Sequence, residues 1–287
     1  MGNDTSRRNF LVGAAAAGVG LSSLKIIGCG PEDTIQCPEP MVWPLTYQKL
    51  DVEQTRKLGH LGYYNGHCCY GVFSAIIGQL ADIVGSPFTE VPLDMMRWGA
   101  GGVAGFGSLC GSLTGACTAI GIVTDEATAK SVITDLLTWY AETPMPTDIS
   151  NTYAQNHEFL VDTLKTDAVL AQSVAGMNLC HASVTNWCIA SGYASGSTER
   201  AERCARVTGD TAAKTAELLN AVADGTYVAS GVIPADAAML DSGTTCRTCH
   251  SKSGTGLYGA GGNYTRGKMH CTTCHTDLLQ VDTATHK

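Results

Sequence analysis

Charged residues are scarce in this sequence: Asp, Glu, Lys and Arg make up 15% of the chain, against about 25% in an average soluble domain. Basic residues are fewer than acidic ones, with 18 Lys and Arg against 26 Asp and Glu, and the formal net charge is −8. Nucleic-acid binding depends largely on neutralising phosphates with Lys and Arg, so this balance argues against a nucleic-acid partner. A surface so poor in charge instead indicates that a large interface or cofactors cover part of the protein.

Strand signals are missing as well, because no segment shows a long alternation of apolar and polar residues. Apolar positions recur with helical spacing, so the predicted fold class is all-α. Helices are predicted over residues 51–84, 125–139, 157–169, 179–189 and 197–222. Gly107, Gly111 and Gly115 recur every four residues, which predicts a helix face of small residues that a second helix can approach closely.

The N-terminus reads as an export signal. A twin arginine at residues 7 and 8 precedes Phe10 and an apolar run over residues 11–24. This combination resembles twin-arginine signals and favours export to the periplasm over a membrane anchor or a buried helix. Residues 1–40 are assigned to this signal and a linker. Residues 26–29 also resemble a lipoprotein processing site, which would place a lipid anchor on Cys29, whereas cleavage further along would leave a soluble protein.

Two Cys-x-x-Cys-His motifs carry the most specific chemistry in the chain: Cys246-Arg-Thr-Cys249-His250 and Cys271-Thr-Thr-Cys274-His275. This spacing is typical of c-type haem attachment, in which two thiols form thioethers with the haem and the following His becomes the proximal iron ligand. A zinc site or a thioredoxin-like pair would explain a single Cys-x-x-Cys. Two copies, each followed directly by His in an exported chain, favour two c-type haems per chain.

The haem motifs lie in a segment that cannot build its own core. Residues 241–270 contain seven glycines and little apolar sequence, so a cofactor must order them. We assign residues 236–287 to a small, irregular di-haem segment and residues 41–235 to a helical, cysteine-rich domain. Only residues 251–270 separate the motifs, which predicts closely spaced haems. Their apolar faces need the helical domain and a second subunit for burial, so we expect a homodimer.

Each haem needs a sixth iron ligand or leaves an open site. Six histidines lie outside the two proximal positions, which favours bis-His ligation over ligation by Met. The preferred distal ligands are His181, in a cysteine-rich segment, and His60, on a helix that begins near the linker. For each of them, an ordinary core or surface histidine is the alternative.

Eight cysteines lie outside the haem motifs and the processing region, and an iron–sulfur cluster needs such thiolates to converge from separate elements. Three or four ligands could come from Cys68 or Cys69, Cys110, Cys180 or Cys188, and Cys204. Their spacing is not the compact spacing of ferredoxins. Buried free thiols, periplasmic disulfides and a thiol redox site at the vicinal pair stay open as alternatives.

Several segments together resemble a known family. The residues that carry the resemblance are Gly66-His-Cys68-Cys69-Tyr-Gly, Leu109-Cys110-Gly111-Ser-Leu-Thr-Gly115, Cys180 and Arg203-Cys204. They resemble the C-GCAxxG-C-C family of redox-associated proteins, with Ser112 where the pattern usually has Ala. With the export signal and haem motifs added, the chain is similar to the split-Soret cytochromes c of sulfate-reducing bacteria. The resemblance implies a homodimer with two bis-His haems per subunit, one axial His from the partner subunit, and an iron–sulfur centre in the helical domain. The first-choice ligands of that centre are then Cys68, Cys110, Cys180 and Cys204, with Cys69 and Cys188 as alternatives.

The sequence therefore predicts a periplasmic electron-transfer protein, whose bis-His haems leave no iron position for a substrate and whose partners are periplasmic redox proteins. An oxidoreductase that reduces a small inorganic substrate at an open haem or a cysteine-bound metal is the main alternative. A haem-based sensor is a third class, although no signalling domain is visible. An electron carrier is favoured over an enzyme with its own substrate.

Overall fold

The computed structural model describes residues 41–234, 247, 250 and 268–273 of the 287-residue chain. The predictions that lie outside the described residues concern the export signal, Cys29, and the haem-motif residues Cys246, Cys249, Cys274 and His275. Within the described part the chain is mostly helical, which confirms the all-α fold class. The division of the chain at residues 40 and 235 stays a prediction.

Six helices and one small strand pair form the described domain. In chain order the elements are α1 (Val52–Val84), α2 (Gly111–Val123), α3 (Glu126–Glu142), β1 (Pro144–Met145), α4 (Asp148–Gln155), β2 (Ser173–Val174), α5 (Cys180–Ser191) and α6 (Thr198–Ala223). Short 3-10 helices span Phe88–Glu90, Leu93–Gly99 and Cys271–Thr273. The two strands pair antiparallel, with Pro144 opposite Val174. Helices predicted over 51–84, 125–139, 179–189 and 197–222 are confirmed, with small shifts at their ends.

The longest helix, α1, has clear start and stop signals. The Asp51 carboxylate accepts a hydrogen bond from the amide of Gln54 at 2.7 Å, which satisfies one of the amides that a helix start leaves without a partner. Gly85 ends the helix with a φ of 79°, a conformation that favours glycine. Among the described helices, α1 alone is long and apolar enough to cross a membrane, a test that core helices also pass.

A break interrupts α1 near its middle. Gly66 and His67 have non-helical backbone angles, and His67 has a φ of 65°. A non-glycine residue in this region costs about 1–3 kcal/mol, and such strain is concentrated at functional sites. The break redirects the chain directly before Cys68.

The central helix pair is α1 against α6, and two glycines allow their close approach. A Cβ on Gly59 would lie 2.8 Å from the Cβ of Ala212, and a Cβ on Gly209 would lie 2.7 Å from the carbonyl oxygen of Arg56. Helix α2 packs on both members of this pair, and α3 packs on α2 and α6. Fully buried apolar side chains at the junction include Val72, Phe73, Ile76, Leu113, Ile120 and Leu136. Burying one such side chain contributes about 1.5–3 kcal/mol.

A buried carboxylate holds α4, a helix that the sequence analysis did not predict, against α6. Asp210 accepts hydrogen bonds from the amide of Thr147 at 2.9 Å and from the hydroxyl of Ser150 at 2.6 Å. It also pairs with the guanidinium of Arg56 from α1. One side chain therefore joins three helices.

The helix predicted over residues 157–169 is wrong, because this segment is irregular. His157 has a φ of 54°, which a helix does not allow. Backbone carbonyl oxygens of Thr166 and Ala168 accept hydrogen bonds from the buried guanidinium of Arg206 at 2.7 and 2.8 Å. These tertiary hydrogen bonds take the place of the helical ones that the apolar spacing indicated.

Candidate metal centre

The four cysteines that were the first choice as cluster ligands line one small cavity, part of which is open to solvent. Cys68 comes from α1, Cys110 directly precedes α2, Cys180 is the first residue of α5, and Cys204 lies in the first half of α6. The side chains of Cys68 and Cys110 are buried, whereas those of Cys180 and Cys204 are partly exposed. Four separate segments therefore converge on one thiol-lined space.

Backbone hydrogen bonds bring the segments of Cys110 and Cys180 together. The amide of Cys110 donates to the carbonyl oxygen of Asn178 at 2.9 Å, and the amide of Cys180 donates to that of Ser108 at 2.7 Å. The two cysteines thus stand at the starts of α2 and α5. Helix N-termini carry a partial positive charge, which favours negative charge on a group bound there.

Glycines let the backbone approach the thiols from the other sides. A Cβ on Gly111 would lie 2.4 Å from the sulfur of Cys68, and a Cβ on Gly102 would lie 2.7 Å from the Cβ of Cys180. Gly102 also has a φ of 72°. Gly107 has a φ of 70° and lies before α2, so the predicted three-glycine helix face is wrong for that residue and holds for the other two.

The cavity disfavours free thiolates in the absence of a metal. Burial is the largest cause that raises the pKa of Cys68, followed by the neighbouring Cys110 and Cys204. Burial also raises the pKa of Cys180 to about 12, again with contributions from Cys110 and Cys204. All four cysteines line the same cavity, so each thiol disfavours ionisation of the others. Both thiols are neutral near pH 7, and a metal must displace their protons to bind.

The donor set fits an iron–sulfur centre. Thiolate sulfur is the ligand that holds such clusters in proteins, and four thiols face one space here. In the part of the chain that the structure describes, no three or more His, Cys, Asp or Glu side chains are placed to hold a single metal ion.

A polar wall completes the cavity. The hydroxyl of Tyr140 donates to the hydroxyl oxygen of Ser183 at 3.0 Å, and a terminal guanidinium nitrogen of Arg203 donates to the same oxygen at 2.8 Å. All three residues line the cavity with the thiols, and each is at most 2% exposed. Burial, and then the charge of Cys110, raise the pKa of Tyr140, so its hydroxyl stays a hydrogen-bond donor.

This geometry coincides with a family pattern. The family described as "Putative redox-active protein (C_GCAxxG_C_C)" matches residues 67–218, a range that contains all four cavity cysteines. The chain belongs to the C_GCAxxG_C_C family. The resemblance inferred from the cysteine and glycine segments is thereby confirmed.

Relatives of this C_GCAxxG_C_C chain include a cytochrome. Split-Soret cytochrome c from Desulfovibrio desulfuricans (strain ATCC 27774 / DSM 6949 / MB) is 30% identical over 230 residues, which are 79% of this chain and 76% of that protein. A solved structure of split-Soret cytochrome c from Desulfovibrio desulfuricans ATCC 27774, described with a novel iron centre, matches with a TM-score of 0.66 and 27% identity. That match covers 85% of this chain and 93% of the other. The chain has a redox, electron-transfer role.

The alternative cluster ligands do not line the cavity. Cys69 is fully buried, and its sulfur packs against Gly99, where a Cβ would lie 2.4 Å away. Burial raises the pKa of the Cys69 thiol to about 12. Cys188 is partly exposed near the end of α5 and is likewise absent from the cavity wall. The vicinal pair therefore separates into one thiol that faces the cavity and one that packs in the core.

The two candidate distal haem ligands have different surroundings. His60 is fully buried, its Nε2 lies 2.9 Å from a carboxylate oxygen of Glu202, and its ring stacks on Phe159 at 3.7 Å. His181 is exposed and directly follows Cys180. The accessible side chain of His181 suits a haem ligand better, and both assignments stay predictions.

Five of the ten haem-motif residues lie outside the described part of the chain. His250 and Arg247 are helical, and Cys271 begins a 3-10 helix. These positions do not test the haem assignment.

Sequence reasoning missed the polar wall. Arg203 directly precedes Cys204 in the sequence, and a charged residue next to a predicted ligand could have indicated that it lies near the site. Tyr140 and Ser183 lie on helices with no local motif, so only tertiary structure identifies them.

Proposed function

We propose that this C_GCAxxG_C_C protein is a periplasmic di-haem c-type cytochrome that carries single electrons and has an additional iron–sulfur centre in its helical domain. The thiols of the two C-terminal motifs form thioethers with the haems, and His250 and His275 bind the haem irons. A second histidine on each iron, for which His181 is the favoured candidate at one site, leaves no open position for a substrate.

The four-thiol cavity is the observation that carries the proposal. An iron–sulfur cluster supplies a one-electron redox centre. Cys68, Cys110, Cys180 and Cys204 would hold it, and the buried walls that α1 and α2 provide keep water from the first two sulfurs. The strained break at His67 and the glycines at 102 and 111 position the thiols, and strain of this kind is concentrated at functional sites.

The scarcity of charge and the glycine-rich tail support a homodimer. A haem face is a large apolar surface, and soluble proteins rarely expose such surfaces. A twofold axis would bury the haem faces of one tail against the other and allow a histidine of one subunit to bind an iron of its partner. The twin-arginine signal supports a periplasmic location, with Cys29 as the site of a lipid anchor if it is processed as in lipoproteins.

Cysteine substitutions test the iron–sulfur centre. Cys110→Ser and Cys180→Ser should remove non-haem iron and acid-labile sulfide while covalent haem is retained. Cys188→Ser is the matched control, because this residue lies on the same helix as Cys180 but outside the cavity, and it should keep the wild-type iron content. Wild-type protein whose iron equals its haem content would refute the centre.

Haem staining and absorption spectra test the electron-carrier assignment. Cys249→Ala and Cys274→Ala should each remove one covalent haem. The intact protein should be fully low-spin, should not bind carbon monoxide, and should show a split or broadened Soret band that collapses when the dimer dissociates. A monomer with one sharp Soret band would contradict the haem contact. A high-spin fraction that binds carbon monoxide would favour the alternative, reduction of a small inorganic substrate.

A further inference from the structure

The buried arginine of the cavity wall has no acidic partner. Other buried arginines are paired: Arg56 with Asp210, and Arg206 with Glu202. Arg203 is 2% exposed, yet within residues 41–234 no carboxylate forms an ion pair with it. A buried cation without a compensating anion costs several kcal/mol. The cavity must therefore supply negative charge when the protein is functional.

The guanidinium also has a hydrogen-bond donor to spare. One terminal nitrogen donates to Ser183 at 2.8 Å, whereas the buried Nε of Arg203 has no hydrogen-bond partner among the described residues. Buried polar groups without partners are rare in native proteins and call for an explanation. The side chain lines the cavity and interacts with Cys204, Tyr140 and Cys110, so the available partner is whatever the four thiols hold.

We infer that Arg203 is the counter-cation of the thiol-bound centre and raises its reduction potential. The inference rests on the proposed iron–sulfur centre. A bound cluster with thiolate ligands is negatively charged, and an added electron makes it more so. A permanent positive charge at low dielectric, together with a hydrogen bond to sulfur, stabilises the reduced form more than the oxidised form. The cysteines bind the iron, whereas Arg203 acts on the centre through its charge and a hydrogen bond.

A redox titration of the full-length, haem-loaded protein tests the inference. Arg203→Met should lower the potential of the centre, changing the ratio of oxidised to reduced centre at a fixed potential at least tenfold, which is about 59 mV for one electron. Arg203→Lys keeps the charge and should recover most of the shift. Arg206→Met removes a buried cation of the same helix outside the cavity and should leave the potential unchanged.

Stability measurements without non-haem iron give a second readout. In this form no cluster charge lies beside the buried Arg203 guanidinium, so Arg203→Met should match or exceed the wild-type denaturation midpoint. In the iron-loaded form the same variant should have a lower midpoint than wild type. Arg206→Met should be destabilised in both forms because it removes the buried ion pair with Glu202 and the hydrogen bonds to the carbonyl oxygens of Thr166 and Ala168.

Several outcomes would overturn the inference. They are a fully iron-loaded Arg203→Met protein with the wild-type potential, equal destabilisation of that variant with and without iron, and a folded Arg203→Lys protein that holds no centre. Wild-type protein that contains no non-haem iron would instead refute the proposed centre itself, so the two failures are distinguishable.

Discussion

Gly115→Ala tests whether close contact between α1 and α2 positions the thiols. A Cβ at this position would lie 2.2 Å from the carbonyl oxygen of Cys69 and 3.2 Å from the amide nitrogen of Phe73. Both atoms belong to the backbone of α1, which cannot move without shifting Cys68 as well. Such overpacking costs about 1–3 kcal/mol.

A glycine on the same helix provides the matched control. A Cβ on Gly121 would meet no atom within 4 Å. Replacing a helical glycine by alanine stabilises by about 0.5–1 kcal/mol when space is available, and both variants gain this amount. The difference between Gly115→Ala and Gly121→Ala therefore isolates the strain of about 1–3 kcal/mol.

Denaturant unfolding followed by circular dichroism measures this difference, and thermal unfolding should show it as about 2–4 °C per kcal/mol. Gly115→Ala should also lose non-haem iron if the shift of α1 displaces Cys68. Equal stability of the two alanine variants would refute the argument that the glycine is needed for backbone contact.

Two further predictions concern buried and exposed charge. Asp210→Ala leaves the Arg56 guanidinium without its buried partner and should lower the free energy of unfolding by about 3–5 kcal/mol. Asp224→Ala removes an exposed carboxylate and should lower the free energy of unfolding by at most about 1 kcal/mol. Comparable losses of unfolding free energy for the two variants in urea denaturation would contradict this ranking. Burial acts to raise the pKa of Asp135, but hydrogen bonds that include those from Ser230 outweigh it, so the folded-state pKa lies below 3.8. Its contribution to stability is complete above pH 3.8 and is lost as pH falls below that value, so Asp135→Asn should flatten the acid side of the stability profile; an unchanged profile would contradict this.

The sequence predicted the helices that have regular apolar spacing and clear caps. It failed over residues 157–169, where apolar residues recur with helical spacing but the guanidinium of Arg206 holds the carbonyl groups. Such a contact comes from a residue far along the chain and leaves no local trace. The same limit explains why α4 was missed, because the carboxylate that holds it belongs to Asp210 on α6.

The cavity cysteines were predictable for a different reason. Spacing alone could not choose between Cys68 and Cys69 or between Cys180 and Cys188, and only the family resemblance favoured one set. The structure explains the choice, since the break before Cys68 and the pairing of Cys180 with Ser108 orient those side chains. Arg203 escaped prediction because a sequence does not show that a charge lacks a partner.

The convergence of four distant segments also determines when the centre can form. The four cysteines are synthesised in order from residue 68 to residue 204, and the last of them lies in α6. A nascent or truncated chain that ends before α6 presents an incomplete set, and an unfolded chain scatters all four. A bound centre would then act as a cross-link that closes three long loops and reduces the conformational freedom of the unfolded chain. Loading of the proposed centre would therefore report that the helical domain has folded, a condition that suits the predicted twin-arginine signal, whose route carries folded proteins.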